Sequence, residues 1–297
     1  GGLIDPAATL ARLAQKQSLP GKRDRVSVLY TYPSYLGELV ECGLRLGYRP
    51  PDFDLRLIAA GGEIVTTGLR RRSRELFGDV RYTEGYGMTE IWPFGGQLCE
   101  QGHLHFEAVQ GLVEVVDPDT GEPTAAGEVG AVVATPFAPF RETTLLLRYN
   151  TEDMVQRLAE PPCCSLKAVP TTGPLLGKRR LAVRHDQGWT CPRSVLEALE
   201  SLPEVPLPAR CGFWPGPGGV AVEVVVQSPT AAVRRKVAAA LEGHGVPLCE
   251  LYLVEQPRDL CHPLPLRGDL REPELTASRW PASLTSHTVS AARKAST

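Results

Sequence analysis

Leu55-Arg56-Leu57-Ile58-Ala59-Ala60-Gly61-Gly62-Glu63 opens the stretch that decides the fold, and Tyr86-Gly87-Met88-Thr89-Glu90 closes it. Leu55–Ala60 is an apolar run bounded by Gly61 and Gly62, and reads as a buried strand. Residues 68–77 follow as a helix with an arginine-rich outer face, and residues 80–84 as the next strand. Upstream, residues 26–32 form a β-rich run ending at Pro33, and residues 35–46 a helix closed by Gly47. Residues 5–18 read as a further helix, with Asp5 as N-cap and Pro6 at the first helical position. This β-α-β alternation predicts a parallel sheet covered by helices.

The texture changes downstream. Strands at 111–117, 130–135 and 145–149, with the turn Pro118-Asp119-Thr120-Gly121, predict an antiparallel, barrel-like unit. Residues 177–272 read as β-β-α-β-β-α-β, a small α+β domain. The expected layout is a core over 1–158, a Pro/Cys/Thr-rich linker over 159–176, the α+β domain over 177–275 and a disordered tail over 276–297.

Charge excludes one class of function. Among 297 residues, 32 are basic and 34 acidic, so no basic excess points to nucleic acid. No apolar run reaches the roughly 18 residues of a membrane span, and residues 1–12 lack the regions of a signal peptide. A cytoplasmic protein is expected. Its eight cysteines, at 42, 99, 163, 164, 191, 211, 249 and 261, are then reduced by default, with metal binding open for a subset.

Three segments in order carry a family resemblance: Ala60-Gly61-Gly62-Glu63, Tyr86-Gly87-Met88-Thr89-Glu90 and Arg148-Tyr149-Asn150-Thr151-Glu152-Asp153. With Tyr32-Pro33-Ser34-Tyr35-Leu36 and Gly102-His103-Leu104-His105, the set resembles the adenylate-forming superfamily, in its phenylacetate–CoA ligase branch. The resemblance covers about residues 25–272. It implies a partial adenylate-forming fold whose C-terminal α+β domain is a lid. It also implies ATP turned over through an acyl-AMP, Mg²⁺, and CoA or a carrier-protein thiol as acceptor, with an aromatic or other small carboxylic acid as substrate. Gly61, Gly62, Glu63, Tyr86, Gly87, Met88, Thr89, Asp153 and Lys178 would form the nucleotide site. Thr89 would bond a phosphate oxygen, Glu90 hold Mg²⁺ through hard oxygen ligands, and Asp153 take both ribose hydroxyls. Tyr35, Ala60, Tyr86 and Ile91 would wall the acid pocket.

The sequence departs from the family at several points. No Ser/Thr/Gly-rich phosphate loop precedes Tyr32. Thr171-Thr172-Gly173-Pro174-Leu175-Leu176-Gly177-Lys178 imitates one but has the wrong spacing, and Arg179 where a hydroxyl belongs. Gly177-Lys178-Arg179-Arg180-Leu181 stands where the family has Gly-Arg-x-Asp-Asp, so the hinge aspartates are gone. Asp269 takes the place of the lid lysine, with Arg267 and Arg271 beside it. These departures predict a truncated or split ligase, completed by a second chain that supplies the phosphate loop. The alternative is a non-catalytic module that binds AMP or an acyl group, or serves as a partner subunit. By the same resemblance Cys99, His105, Cys163 and Cys164 would hold zinc, with His103 a rival to His105.

Overall fold

The computed structural model describes residues 5–18 and 20–266. The expected disordered tail and the positions Arg267, Asp269 and Arg271 lie outside the described residues. Helix α1 (Pro6–Ala14) starts as its cap residue demands, the Asp5 carboxylate accepting from the N–H groups of Ala7 and Ala8. The chain then alternates β1 (Val28–Thr31), α2 (Pro33–Arg45), β2 (Leu57–Gly61), α3 (Thr67–Phe77) and β3 (Arg81–Tyr86). The three strands pair in parallel in the order β1-β2-β3. Leu29, Ile58 and Tyr82 share one register row and face a core built from Leu10, Leu36, Leu39, Leu69 and Leu76 of the three helices.

Helix α2 begins two residues before the expected Tyr35. Its cap residue Tyr32 makes no side-chain cap bond; Glu63, from the loop after β2, accepts from the Ser34 N–H at 2.8 Å instead. Of the four arginines of α3, Arg71 and Arg74 form the expected exposed face, while Arg70 and Arg72 are drawn into ion pairs. Arg70 pairs with Glu84 on β3 at 2.9 Å, and Arg72 with Glu41 on α2 at 2.5 Å.

The first sheet continues antiparallel through β4 (Gly96–Leu98) and β5 (Leu104–Phe106). Then come β6 (Gly111–Val116), β7 (Val129–Pro136), β8 (Tyr149–Gln156), β9 (Thr171–Thr172) and β10 (Leu175–Lys178). Strand β9 joins the edge of the first sheet, and β10-β8-β7-β6 form a second, antiparallel sheet. The expected barrel-like unit is thus an open four-stranded sheet. The strand expected at 145–149 instead begins at Tyr149, because Thr144 and Arg148 adopt positive φ and hold the preceding stretch irregular. Two segments of the expected linker, at 171–172 and from 175, are strands.

The C-terminal unit comprises β11 (Val183–His185), β12 (Gly188–Thr190), α4 (Pro192–Glu200), β13 (Cys211–Gly216), β14 (Gly219–Val225), α5 (Ala231–Gly243) and β15 (Leu248–Val254), in the order read from the sequence. Its sheet is β13-β14-β15, with β14 buried along its length between neighbours and helices. The two cores interlock: Leu207 packs with Leu36 and Leu39, and Ile64 with the cluster of Val195, Leu199 and Val222.

Among the described residues one face of the parallel strands is open. Val28 and Tyr30 of β1, in register with Leu57 and Ala59 of β2, point away from the helices and are 53% and 79% exposed. Among the described residues β1 is also the unpaired edge of its sheet.

Candidate nucleotide site and metal cluster

A cleft of about 530 Å³ opens where the end of β3 meets β8 and β10, lined by Met88, Glu90, Tyr149, Asn150, Thr151, Glu152, Lys178 and Arg180. A bulge in β8 shapes its floor. Ala131 pairs with Met154 but Val133 with Asn150, so Thr151, Glu152 and Asp153 face one residue of β7, and Glu152 takes φ 60°. Such a bulge re-aims side chains next to a site. It sends Glu152 to Arg180 (3.1 Å) and turns Asp153 inward, leaving it 4% exposed.

Asp153 sits directly behind the cleft as the register partner of Lys178. One carboxylate oxygen lies 3.0 Å from Lys178 Nζ, and the other accepts from the Tyr86 hydroxyl at 3.0 Å. Lys178 also donates to the Thr151 carbonyl at 2.8 Å. Burial pushes the Asp153 carboxyl above its ordinary value, against the pull of Lys178. Burial first, and then the Asp153 charge, push the Tyr86 phenol well up, so it remains an O–H donor. A carboxylate has about four acceptor positions, so two remain on Asp153 once both partners are served.

The structure thus brings Tyr86, Met88, Glu90, Asp153 and Lys178 together. Thr89 is exposed on the same loop, where its carbonyl lies near Arg141. Gly62 has φ +80°, and a Cβ there would approach the Tyr32 ring at 3.1 Å. Glu63 is engaged as the cap of α2. Of the residues expected to wall an acid pocket, Tyr86 belongs to this group and the other three are buried away from the cleft lining. Tyr35 is in the helical core with its hydroxyl on Thr9 (2.7 Å), Ala60 is buried in β2, and Ile91 is buried beside Phe94. The Tyr86 ring meets Phe106 edge-on at 5.7 Å. Thr171–Lys178, the imitation phosphate loop, is two strands followed by a 3-10 turn, with no helix N-terminus to receive phosphate. Tyr149, Asn150, Thr151, Glu152 and Arg180 are cleft residues that the sequence reading did not single out. The stretch Arg148–Asp153 carried a signal for four of them, and the bulge that displays them did not show in the pattern.

A second cluster stands between β4, β5 and the segment before β9. Donor atoms of Cys99, His103, His105 and Cys164 all lie within 4.8 Å of one another. Cys99 Sγ is 3.8 Å from His103 Nδ1, and Cys164 Sγ 3.3 Å from His105 Nε2. Ligand bonds of about 2.0–2.3 Å in a tetrahedral zinc site separate donors by about 3.3–3.8 Å, which these two Cys–His separations match. The Thr171 hydroxyl donates to the Val169 carbonyl (2.6 Å), so its oxygen accepts from His105 Nδ1–H (2.9 Å). That fixes the tautomer and leaves His105 Nε2 as a ligand lone pair. The expected ligand set is corrected at one place. Cys163 faces Gln101 Oε1 at 3.1 Å, because adjacent side chains diverge, and His103 completes the four.

Residues 18–136 match the family model of the AMP-binding enzyme. Over 186 residues the chain is 34% identical to a phenylacetate-coenzyme A ligase of Thermus thermophilus, a match covering 61% of this chain and 40% of that one. The chain is thus similar to the AMP-binding enzymes over residues 18–136 and to phenylacetate–CoA ligases over 186 residues. It spans less than half the length of that relative. Two solved structures share the fold. An anthranilate CoA ligase in complex with anthranoyl-AMP aligns at TM-score 0.63 and 15% identity, over 96% of this chain and 54% of that one. A benzoate CoA ligase from Burkholderia xenovorans aligns at TM-score 0.61 and 17% identity, over 91% and 54%. No helix among the described residues is long and apolar enough to cross a membrane.

Proposed function

We propose that this chain binds adenosine monophosphate in the cleft between β3, β8 and β10, as the nucleotide half of a site that activates a small, aromatic-type carboxylic acid as its acyl-AMP for transfer to CoA or another thiol. The observation that carries the reading is the Tyr86–Asp153–Lys178 constellation behind that cleft. Asp153 offers its free acceptor positions to the ribose hydroxyls. Lys178 brings a positive charge to the nucleotide, and the Thr89 hydroxyl reaches a phosphate oxygen. Glu90, an exposed carboxylate on the cleft wall, supplies the hard oxygen that Mg²⁺ prefers. The acid's own oxygen is the nucleophile, so these residues bind, orient and balance charge, and no protein nucleophile is needed. Titration calorimetry with AMP, using GMP as control, tests this; absence of any AMP preference would end it.

The reading includes a further segment, supplied by a longer form of this polypeptide or by a second one. Parallel strands are almost always covered on both faces, yet among the described residues nothing covers Val28 and Tyr30. No described loop is placed to hold β- and γ-phosphates. A covering segment that also brings the phosphate loop meets both needs. The 297-residue chain by itself is therefore expected to give no acid-dependent pyrophosphate exchange. Robust exchange by these 297 residues alone would remove the case for any further segment.

The chain is further proposed to hold zinc at Cys99, His103, His105 and Cys164. There the ion would tie the β4–β5 turn to the segment before β9. Protein expressed with zinc is expected to carry about one ion per chain, and Cys99→Ser to lose it, with a lower melting temperature. Elemental analysis finding no metal in the wild type decides against the site, whatever its stability.

A further inference from the structure

We infer that the C-terminal unit is fixed to the nucleotide cleft by a polar stripe on α4, and that Arg193 is a positioning residue for Tyr86 and Lys178. The inference rests on the nucleotide reading above for its binding arm alone. Helix α4 buries Val195, Ala198 and Leu199 in its own unit. Arg193, Glu197 and Glu200 stand at i, i+4 and i+7, one helical face, and all three cross to the other unit. The Glu197 carboxylate accepts the Thr67 N–H at 2.8 Å, serving the first turn of α3 with a negative charge where the helix dipole favours it. Glu200, 5% exposed, accepts from the Thr66 hydroxyl, whose oxygen in turn caps the Leu69 N–H at 2.9 Å.

Arg193 reaches furthest. Its side chain is 11% exposed. Its guanidinium donates to the Leu175 carbonyl on β10 and to the Val65 carbonyl at 3.1 Å, is braced by Glu197 at 3.0 Å, and stands 3.5 Å from Glu84 on β3. Glu84 also holds Arg70, so a nearly buried carboxylate sits between two guanidinium groups. Glu84 lies two residues before Tyr86, and Leu175 three before Lys178. One side chain therefore clamps together the two strands whose ends deliver Tyr86 and Lys178 to Asp153. A domain that swung clear of the cleft would withdraw this clamp, and with it the spacing of β3 and β10. The C-terminal unit is accordingly part of the scaffold of the site, which fits the loss of the hinge aspartates at Arg180 and Leu181.

The test compares Arg193→Ala and Arg193→Lys with the wild type by amide hydrogen exchange and by AMP titration. Arg193→Ala is expected to speed exchange of residues 84–86 and 175–178 by about tenfold, the worth of one charge-assisted bond, while residues 211–254 keep their wild-type rates. AMP affinity falls by a similar factor, and Arg193→Lys, which keeps the charge but not the fork, lies between. Glu84→Gln added to Arg193→Ala costs only the remaining Arg70 pair, so the two changes together cost less than the sum of the single ones. Unchanged exchange at β3 and β10 overturns the inference. So does faster exchange throughout 211–254, which would mean simple loss of C-terminal packing. If the wild type binds no AMP, the nucleotide reading fails and the exchange pattern alone decides the role of Arg193.

Discussion

Asp153→Ala is expected to lower AMP affinity by about ten- to a hundredfold, the loss attached to hydrogen bonds made by a charged group. The substitution acts three times over. It removes the acceptor proposed for the ribose, releases the Tyr86 hydroxyl, and leaves Lys178 without its ion pair. Lys178 is about one-third exposed and turns to water at little cost, so the fold survives and the loss appears in binding. Asp153→Asn separates the parts. The amide still accepts from Tyr86 but cannot hold Lys178 as an ion pair, and an intermediate affinity is expected. Acid should mimic the substitution. Because burial holds the Asp153 carboxyl above its ordinary value, its charge is lost, and AMP affinity declines, at a pH higher than a solvated aspartate would require. Equal AMP affinity for wild type and Asp153→Ala in calorimetry would remove Asp153 from the site.

How much of this was legible depends on the distance over which each feature is decided. The β-α-β stretch from Leu55 to Tyr86 was legible because glycine bounds and apolar runs are local signals. So was the cap at Asp5, whose partners lie two and three residues on. The start of α2 was not, because its capping carboxylate, Glu63, arrives from 29 residues away. Arg70 and Arg72 of α3 look like part of a solvated face until Glu84 and Glu41 are folded against them. In the proposed nucleotide site, Tyr86, Asp153 and Lys178 were picked out by motif order, and the structure brings them into contact. The bulge that turns Asp153 inward comes from a mismatch between β7 and β8 that no single strand reveals. Likewise, Cys163 and His103 exchanged places because the spacing of cysteines shows nothing of where their Sγ atoms point. The polar stripe of α4 had a helical period, but its partners at Thr66 and Thr67 lie 134 and 130 residues away.

Gly68→Ala is expected to destabilise the protein by about 1–3 kcal/mol, the range for forcing extra volume into a filled interior. The sign is the informative part. Gly68 lies in the first turn of α3, and exchanging a helical glycine for alanine ordinarily stabilises by about 0.5–1 kcal/mol. Here a Cβ would stand 2.3 Å from the Glu200 carbonyl oxygen and 2.8 Å from the Ser201 nitrogen, backbone atoms at the end of α4. No side chain can swing away, so α3 and α4 must part. Parting them also stretches the bonds from Glu200 to Thr66 and from Glu197 to Thr67. For a protein of this size each kcal/mol moves the melting temperature by about 2–4 °C, so a fall of several degrees is expected. Gly243→Ala, at the end of α5 with nothing within 4 Å of its Cβ, is the matched control and should leave the melting temperature unchanged or raise it. A Gly68→Ala protein as stable as the control would show that the two units give way at this contact, and that the interface between α3 and α4 is looser than its geometry implies.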